Sequence, residues 1–314
     1  MTTTSELPLL LTELVAESVT RISPTFVRVE LSSPDLAHFG LPGPRFDQRF
    51  KLIFAAEGRP LPDVSAADAD WMTAWFEQPA EERGHMRTYT IRDVVGEGAD
   101  TRFVVDFVVH EDGKAGPGAA WALAAKPGDR VVALAPRRGQ EFGGIEFAVP
   151  DGTARLLLVG DESAVPAVAS ILGCLDPDAR GAVFLEVPDA FDLQDLVAPA
   201  GIEVTWLTRG HAEVGSRLVP AVRAHMGLEA GEWTDAAEVD PDLWETPTYS
   251  SSGADVETEQ VADAEGALEG LYAWIAGESR MVTTLRRALV SELGVDRKRV
   301  AFMGYWRRGV AMRS

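Results

Sequence analysis

The first half of the chain alternates between short runs of β-branched or apolar residues and turn residues. Such runs occupy residues 15–21, 25–31, 49–55, 87–92, 102–110 and 129–135, and Pro and Gly residues mark turns between them. Six short strands separated by turns predict a small antiparallel β-barrel. Residues 57–84 interrupt the pattern with Trp, Pro and Asp, and we expect a loop with a short helix packed on the barrel.

The second half of the chain has a different periodicity. Continuous apolar runs at residues 154–159, 181–187, 202–207, 271–276 and 299–303 are typical of buried parallel strands. Helical patterns cover residues 163–174, 216–225 and 278–293, and Gly294 suits the C-terminal cap of the last. Alternating strands and helices predict a parallel-sheet α/β domain with helices on both faces. The turn at residues 150–153 divides the chain into domains 1–150 and 151–314.

Composition and charge narrow the class of protein. The 314 residues include 29 Lys and Arg against 49 Asp and Glu, which gives a formal charge of −20 and disfavours nucleic acid as a partner. The sequence has no apolar run approaching the roughly 20 residues that a membrane helix needs, and its start lacks a basic signal region. We therefore expect a soluble, cytoplasmic protein without a membrane partner. The sequence does not define its oligomeric state, and a monomer is favoured.

The single cysteine, Cys174, restricts the redox chemistry. One cysteine forms no intrachain disulfide, no iron–sulfur cluster with several thiolate ligands and no zinc site built from cysteine pairs. The five histidines show no metal-ligand spacing, so we expect no resident metal. Redox chemistry would then require an organic cofactor or an external metal.

The strongest local feature of the first half is residues 87–92, Arg-Thr-Tyr-Thr-Ile-Arg, on a predicted strand. The planar fork of arginine pairs well with a diphosphate. Tyr89 and Thr90 can place a ring and a hydroxyl against a flat heterocycle. An exposed strand with alternating Arg and Tyr is the alternative interpretation.

A second feature follows the strand that ends at Val109-His110. Gly116-Pro117 precedes a helical segment, and the free amides of such a helix start favour a phosphate. A plain turn with a helix cap is the alternative. The Arg-x-Tyr-Thr strand, one more strand and this helix start, taken in that order, predict a flavin site.

In the second half, two strands pass through glycine into a helix, at residues 156–166 and 272–279, and a third ends in Gly-Tyr-Trp-Arg-Arg-Gly at residues 304–309. Ligands of open α/β sheets bind at these carboxyl ends. Residues 156–166 lack Gly-x-Gly-x-x-Gly, so an ordinary strand–helix connection remains the alternative. The last segment could cover a flavin or a substrate and hold an anion, or could anchor the C-terminus in the core.

Charge is unevenly distributed along the second half. Residues 226–270 contain 13 acidic residues and no Lys or Arg, whereas residues 277–314 contain nine basic and three acidic residues, a balance of 9 − 3 = +6. We interpret the acidic stretch as a solvated excursion, part of which packs through its aromatic residues. The basic C-terminal patch can attract an anionic ligand.

These motifs together resemble the siderophore-interacting proteins, FAD-dependent ferric-siderophore reductases with a ferredoxin-reductase-like architecture. The resemblance runs from about residue 14 to residue 309. It rests on segments in the family's order, at residues 50–54, 87–92, 106–110, 116–122, 127–129, 160–167, 274–278 and 304–309. Arg49 and residues 118–120 depart from the family pattern, which blurs the charge preference for substrate and the individual diphosphate contacts.

The resemblance implies an N-terminal FAD-binding barrel and a C-terminal α/β nucleotide-binding domain that takes NADPH or NADH. The cofactor-binding residues that it implies are Arg87, Thr88, Tyr89, Thr90, Val109, His110, Gly116, Ala119, Trp121, Asp161, Glu162, Ala276, Gly277, Glu278, Tyr305 and Trp306. Lys51, with Arg307 or Arg308, would bind an anionic ferric siderophore or another ferric chelate. No catalytic side chain is expected beyond the flavin.

The implied reaction is hydride transfer from NAD(P)H to FAD, followed by single-electron transfer to Fe(III), which then leaves its chelator as Fe(II). One alternative is another flavin oxidoreductase of the same architecture, such as a flavin reductase or an electron-transfer protein. A second is a siderophore-binding protein without enzymatic activity. Arg209, after the third strand of the second half, is a candidate for contact with an adenosine 2′-phosphate. The siderophore class is not defined by the sequence.

Overall fold

The computed structural model describes residues 7–109, 115–229, 244–246, 249–250 and 268–309. It divides the chain into two compact units, the first extending to Ile145 and the second beginning at Glu146. The sequence placed this boundary five residues later, because the Pro-Asp-Gly turn at residues 150–152 is the stronger local signal. Most of the acidic stretch at residues 226–270 lies outside the described residues.

The first unit is an antiparallel β-barrel, as predicted. Its described strands, in the sheet order β4-β3-β7-β1-β2-β6-β5, are β1 (Leu9–Arg21), β2 (Phe26–Ser32), β3 (Arg49–Phe54), β4 (His85–Thr90), β5 (Asp93–Val95), β6 (Arg102–Val108) and β7 (Arg130–Pro136). The chain passes from β4 at one edge to β5 at the other through only two residues. The amide of Arg92 bonds to the carbonyl of Val104 on β6 across 3.0 Å. The two edges of the sheet therefore meet at this connection.

The interior of the barrel is filled by side chains that alternate along each strand. In β1, Leu10, Leu14 and Ala16 are buried inside, and Phe50, Phe103 and Phe107 from other strands pack in the same cluster. Helix α3 (Pro117–Ala124) contributes Ala122 to this cluster. Strand β5, three residues long, was not predicted because its sequence is too short to show alternation.

The outer face of the barrel carries a smaller apolar cluster. Helices α1 (Trp71–Glu77) and α2 (Ala80–Arg83) belong to the stretch predicted as a loop with a short helix. Trp75 packs on Ile53, Met86, Val132 and Leu134, and its indole nitrogen donates to the carbonyl of Arg83 at 2.8 Å. This contact fixes both short helices against β3, β4 and β7.

A buried carboxylate links β6 to two arginines near the closure of the barrel. The Asp106 side chain is fully buried and accepts two hydrogen bonds from Arg28, at 2.7 and 2.8 Å, while the Arg92 guanidinium lies 2.8 Å from one of the same carboxylate oxygens. Arg92, the last residue of the Arg-x-Tyr-Thr segment, therefore belongs to the barrel framework.

The second unit is built on a parallel sheet, also as predicted. Its parallel strands, in the order β10-β9-β8-β13-β14, are β8 (Arg155–Gly160), β9 (Arg180–Val187), β10 (Gly201–Thr208), β13 (Leu271–Glu278) and β14 (Val300–Trp306). Strands β11 (Trp244–Thr246) and β12 (Tyr249–Ser250) extend it antiparallel beside β14. They were not predicted, since the acidic residues around them hide the pattern.

The helices of this unit are α4 (Val165–Cys174), α5 (Leu218–His225) and α6 (Ser279–Arg286). Helix α4 is preceded by a 3-10 turn at Glu162–Ala164, and α6 widens into a π-helix at Arg287–Glu292, where the sequence predicted one continuous helix. Gly294 follows with a φ of +69°, which suits a helix C-terminus. Within the described part of the chain, no helix is both long and apolar enough to cross a membrane.

We predict that Asp106→Asn destabilises the barrel. The substitution removes the charge that two arginines share, and loss of one partner of a buried ion pair costs about 3 kcal/mol. Urea unfolding followed by tryptophan fluorescence measures the change. Asp93→Asn is the matched control, because Asp93 pairs with Arg45 while its side chain is 49% exposed, and we expect a loss of less than about 1 kcal/mol. Equal losses for the two variants would contradict the role given to Asp106.

Candidate functional site

The Arg-Thr-Tyr-Thr segment of β4 presents its side chains on two faces. Tyr89 lies opposite Phe50, on the face that lines the barrel core. Strand alternation places Arg87 on that same face, whereas Thr88 and Thr90 lie on the other. The structure therefore groups Arg87 with Tyr89 and separates them from the two threonines.

Tyr89 sits in an aromatic cluster at the start of α3. Its ring centroid lies 4.6 Å from that of Phe107 and 6.1 Å from that of Phe54, and both phenylalanines also contact Trp121 at 5.5–5.6 Å. A Cβ added to Gly118 would lie 1.8 Å from the Tyr89 hydroxyl oxygen. Burial raises the pKa of Tyr89, so its hydroxyl is protonated at neutral pH.

The N-terminus of α3 has features of an anion site. Gly116 is the N-cap in an extended conformation, Pro117 begins the helix, and among the described residues no side chain caps the first turn. Ala119 and Trp121 pack against the same core cluster as Tyr89. Arg87 makes no ion pair within the described residues; its guanidinium donates to the carbonyl of Met86 at 2.7 Å, and burial lowers its pKa.

Two predicted flavin contacts follow β6. Val109 is 1% exposed and its amide donates to the carbonyl of Thr25 at 2.8 Å, so the side chain and the N–H are both engaged in the barrel. His110 lies outside the described residues. The structure thus packs Tyr89 against α3 beside Trp121 and Ala119, with Gly116 as the N-cap of that helix and Arg87 two residues before Tyr89 on the same face of β4.

The residues predicted to bind substrate lie in different units. Lys51, on β3, donates to the hydroxyl of Thr88 at 2.6 Å, and partial burial, followed by the nearby charge of Arg49, lowers its pKa. Arg307 and Arg308 follow β14 in the second unit. Arg308 lies 3.8 Å from Glu213.

In the second unit, Asp161 joins the carboxyl ends of three neighbouring strands. It follows β8 and accepts hydrogen bonds from the Glu278 amide at 2.7 Å and from the Trp306 indole at 2.9 Å, the ends of β13 and β14. It also accepts from the amide of Ser163 at 2.8 Å. A Cβ on Gly277 would lie 2.7 Å from this carboxylate, so the close approach requires glycine.

The environment of Asp161 perturbs its protonation. Burial, and secondly the neighbouring Glu162 carboxylate, raise the pKa of Asp161 to about 6. Hydrogen bonds from Ser163, Trp306 and Glu278 act in the opposite direction. Asp161 is therefore an acid with a raised pKa at the sheet edge where ligands bind.

Carboxylates from within the unit already occupy helix starts at this edge. Glu278 accepts from the amides of Arg280 and Met281 at the start of α6. Glu186 accepts from the amides of Gly215, Arg217 and Leu218 at the start of α5, at 2.6–3.0 Å. These amides are taken, so a bound phosphate would depend on other donors.

Arg209 is buried inside the unit, where it is not available for the predicted contact with an adenosine 2′-phosphate. Its guanidinium makes two 2.6 Å hydrogen bonds to Glu162 and lies 3.7 Å from Glu186. Residue Arg209 is 9% exposed. Glu162, predicted to line the nicotinamide side, is likewise engaged in this pair.

The remaining predicted residues lie on β13 and β14. Ala276, Gly277 and Glu278 end β13, and Tyr305 and Trp306 end β14. The Tyr305 ring packs edge-on against Trp274, with centroids 6.3 Å apart. The carboxyl ends of β8, β13 and β14 thus bring Asp161, Glu278 and Trp306 together.

Sequence reasoning missed Phe54 and Phe107 as partners of Tyr89, and Glu186 as the cap of α5. The two phenylalanines occupy inward positions of predicted strands, and that signal could have placed them beside Tyr89. Glu186 interrupts an apolar strand, and a buried acidic residue requires a partner. Its partners are backbone amides far along the chain, which no local pattern reveals.

Two family models match the chain. The siderophore-interacting FAD-binding domain matches residues 15–141 and the siderophore-interacting protein domain matches residues 153–309. An uncharacterized protein of Mycobacterium tuberculosis, Rv2895c, is 33% identical over 92% of this chain and 87% of its own length. The chain belongs to the family of siderophore-interacting proteins, whose FAD-binding domain spans most of the barrel unit.

Other proteins similar to this chain have names that state a function. A ferric vibriobactin reductase of Vibrio cholerae, ViuB, is 27% identical over 92% of this chain and 86% of its own. An NADPH-dependent ferric-chelate reductase of Escherichia coli is 26% identical, with coverages of 94% and 92%. The crystal structure of a siderophore utilization protein from T. fusca aligns with a TM-score of 0.65, at 29% identity and coverages of 98% and 97%.

We predict that Gly118→Ala disturbs the Tyr89 cluster. The added methyl group would overlap the Tyr89 hydroxyl, so the ring must shift. We expect the affinity for added FAD, measured by flavin fluorescence quenching, to fall at least about tenfold, the equivalent of ~1.4 kcal/mol. Gly143→Ala is the control, because a Cβ there meets no atom within 4 Å. Unchanged FAD affinity in Gly118→Ala would show that the Tyr89 cluster is not part of the flavin site.

We predict a pH-dependent contribution of Asp161 to the stability of the second unit. The folded pKa of about 6 lies above the ordinary value of 3.8, so the folded state binds a proton between these pH values that the unfolded chain does not. Stability from this group is present at low pH and is lost as pH rises through 6. Chemical denaturation of the wild type and Asp161→Asn at pH 5 and pH 7.5 tests this, since the wild type should lose stability relative to the variant at the higher pH. If the difference in unfolding free energy between the wild type and Asp161→Asn is the same at both pH values, the prediction is refuted.

Proposed function

We propose that this protein is an FAD-dependent reductase that uses NAD(P)H to reduce ferric siderophores, or other ferric chelates, and so releases Fe(II). The observation that carries this proposal is the match of both family domains to the two units, together with the cradle formed by Tyr89, Gly118 and α3 in the FAD-binding domain. The names of the Vibrio and Escherichia relatives support the same reaction class.

The residues at the end of the barrel fit a flavin dinucleotide. Within the described parts of the chain, no side chain caps the first turn of α3 and no carboxylate pairs with Arg87. The helix start can therefore offer backbone amides to a diphosphate, and Arg87 can supply the countercharge. Tyr89 and Trp121 provide aromatic surface for a heterocycle. Gly118 leaves the space that the Tyr89 hydroxyl occupies, so the tyrosine can lie directly against the first turn of α3.

The carboxyl edge of the parallel sheet fits the nicotinamide nucleotide. Ligands of such sheets bind where the strand order reverses, which here is between β8 and β13. Asp161 and Gly277 lie at that point. The glycine permits the close approach of the Asp161 carboxylate to the backbone, and Trp306 is held in place by its bond to the same carboxylate.

Bound FAD would supply the conversion between two-electron transfer from a nicotinamide and one-electron transfer to ferric iron. The protein's own residues would bind the cofactor and the substrates, orient them and exclude water from them. Lys51 supplies a positive charge on the barrel surface that attracts an anionic chelate, and Arg307 and Arg308 supply further charge in the second unit.

Anaerobic reduction of ferric hydroxamate and ferric catecholate chelates, with Fe(II) trapped by ferrozine, tests the proposal. The absorption spectrum of the purified protein, before and after addition of FAD, is recorded first. We expect a bound-flavin spectrum, reduction by NADH or NADPH, and Fe(II) release faster than free-flavin reduction. Lys51→Ala should raise the KM for the chelate, with Lys126→Ala as a control on the same unit at an exposed ion pair.

The outcomes separate the alternatives. Flavin binding with rapid reduction of free flavin or dyes, but not of ferric chelates, would indicate another flavin oxidoreductase of the same architecture. Chelate affinity without any flavin binding would indicate a siderophore-binding protein and would refute the reductase.

A further inference from the structure

The ends of β9 and β10 form one corner of the nucleotide-binding edge of the second unit. Beyond the strands, the amide of Arg209 still bonds to the carbonyl of Val187, and the amide of Gly210 to the carbonyl of Pro188, each at 3.0 Å. Asp189 therefore directly follows Pro188, whose carbonyl is bonded to the residue after Arg209. In dinucleotide-binding sheets, the residue at the end of the second strand contacts the adenosine ribose.

Arg209 is not available as a donor at this corner, because its guanidinium is committed to a buried ion pair. Both of its terminal nitrogens bond to Glu162 at 2.6 Å, and the pair is almost entirely buried. Withdrawing Arg209 toward a ligand would leave Glu162 as an unpaired buried carboxylate, which is strongly unfavourable. The guanidinium therefore stays in the unit.

Asp189 and Phe191, by contrast, face solvent on a fixed turn. The Asp189 carboxylate accepts from the Phe191 amide at 2.9 Å, and the Asp189 amide donates to the buried Asp192 carboxylate at 3.0 Å. This reciprocal capping box orders the turn before any ligand arrives. The Phe191 ring is 80% exposed, although apolar rings are usually covered.

A carboxylate at this position distinguishes two dinucleotides. It accepts hydrogen bonds from a ribose 2′-hydroxyl but repels a 2′-phosphate. The carboxylates of Glu162 and Glu186 flank the single guanidinium of Arg209, and Asp192 adds a third buried carboxylate in the turn itself. An exposed ring beside the carboxylate offers a stacking surface for adenine.

We propose that the turn at residues 188–192 is the adenosine subsite of this protein and that it selects NADH over NADPH, with Asp189 as the discriminating residue and Phe191 as the adenine platform. This inference rests on the proposed function, since it assumes that the second unit binds a nicotinamide nucleotide.

Titration calorimetry of the full-length protein with NAD⁺ and NADP⁺ tests the inference without relying on turnover. We expect NAD⁺ to bind at least about tenfold more tightly, because the charged Asp189 carboxylate makes a strong hydrogen bond to a 2′-hydroxyl and repels a 2′-phosphate. Asp189→Asn should reduce this ratio at least about fivefold. Asp195→Asn is the matched control, an exposed aspartate six residues further along the same connection, and should leave the ratio unchanged.

A second pair of variants tests the platform. Phe191→Ala should weaken NAD⁺ and NADP⁺ equally, so that the ratio is kept, whereas Val197→Ala, at a side chain 84% exposed on the same connection, should change neither. The ratio of kcat/KM for NADH and NADPH in ferric-chelate reduction provides a second readout.

The possible negative results distinguish a failure of this inference from a failure of the proposed function. Tighter binding of NADP⁺, or an unchanged ratio in Asp189→Asn, would overturn the inference and leave the reductase intact. If NADP⁺ is preferred and Arg217→Ala abolishes that preference, the exposed arginine at the start of α5 is the discriminating group instead. If neither nucleotide binds and neither supports chelate reduction, the proposed function itself fails.

Discussion

The hydrogen bonds of the Asp161 carboxylate hold together the edge of the second unit on which its proposed chemistry depends. One buried side chain fixes the ends of β8, β13 and β14 through the amide of Glu278 and the indole of Trp306. Because the donors come from two other strands, the carboxylate ties those strand ends to the end of β8. The cost of burying it is visible in its raised pKa. Gly277 is part of the same constraint, since a side chain there would displace the carboxylate.

The same principle operates in both units: acidic residues are placed inside, where they organise backbone and arginine donors. Asp106 binds two arginines near the barrel closure, Glu186 and Glu278 cap α5 and α6, and Glu162 retains Arg209. A strongly acidic chain thus uses part of its charge as internal framework. The helix starts and one arginine that could have served a phosphate are occupied by this framework, which leaves selectivity to exposed groups at the strand ends.

The fold could be predicted from the sequence because its signals are local. Alternation in the first half and continuous apolar runs in the second each extend over five or more residues and report burial directly. The three-residue β5 and the β11–β12 pair carry no such signal. The candidate site could be predicted only in part. Residue type and order identified Tyr89 and α3, but their contact through Gly118 depends on how the strands of the barrel pack together. The pairing of Glu162 with Arg209, 47 residues apart, depends on which strands are neighbours, so the sequence offered Arg209 to a ligand that the folded unit does not let it reach.

The direct passage from β4 to β5 has a consequence for how this family member can vary. The segment from His85 to Val95 is shared by the two edges that close the barrel, and it also carries Arg87 and Tyr89. A single inserted or deleted residue there would reverse which side chains point inward and would misalign both edges at once. Substitution can therefore tune this segment residue by residue, while its length is fixed by the geometry of closure, and changes of length must be accommodated in the surrounding loops.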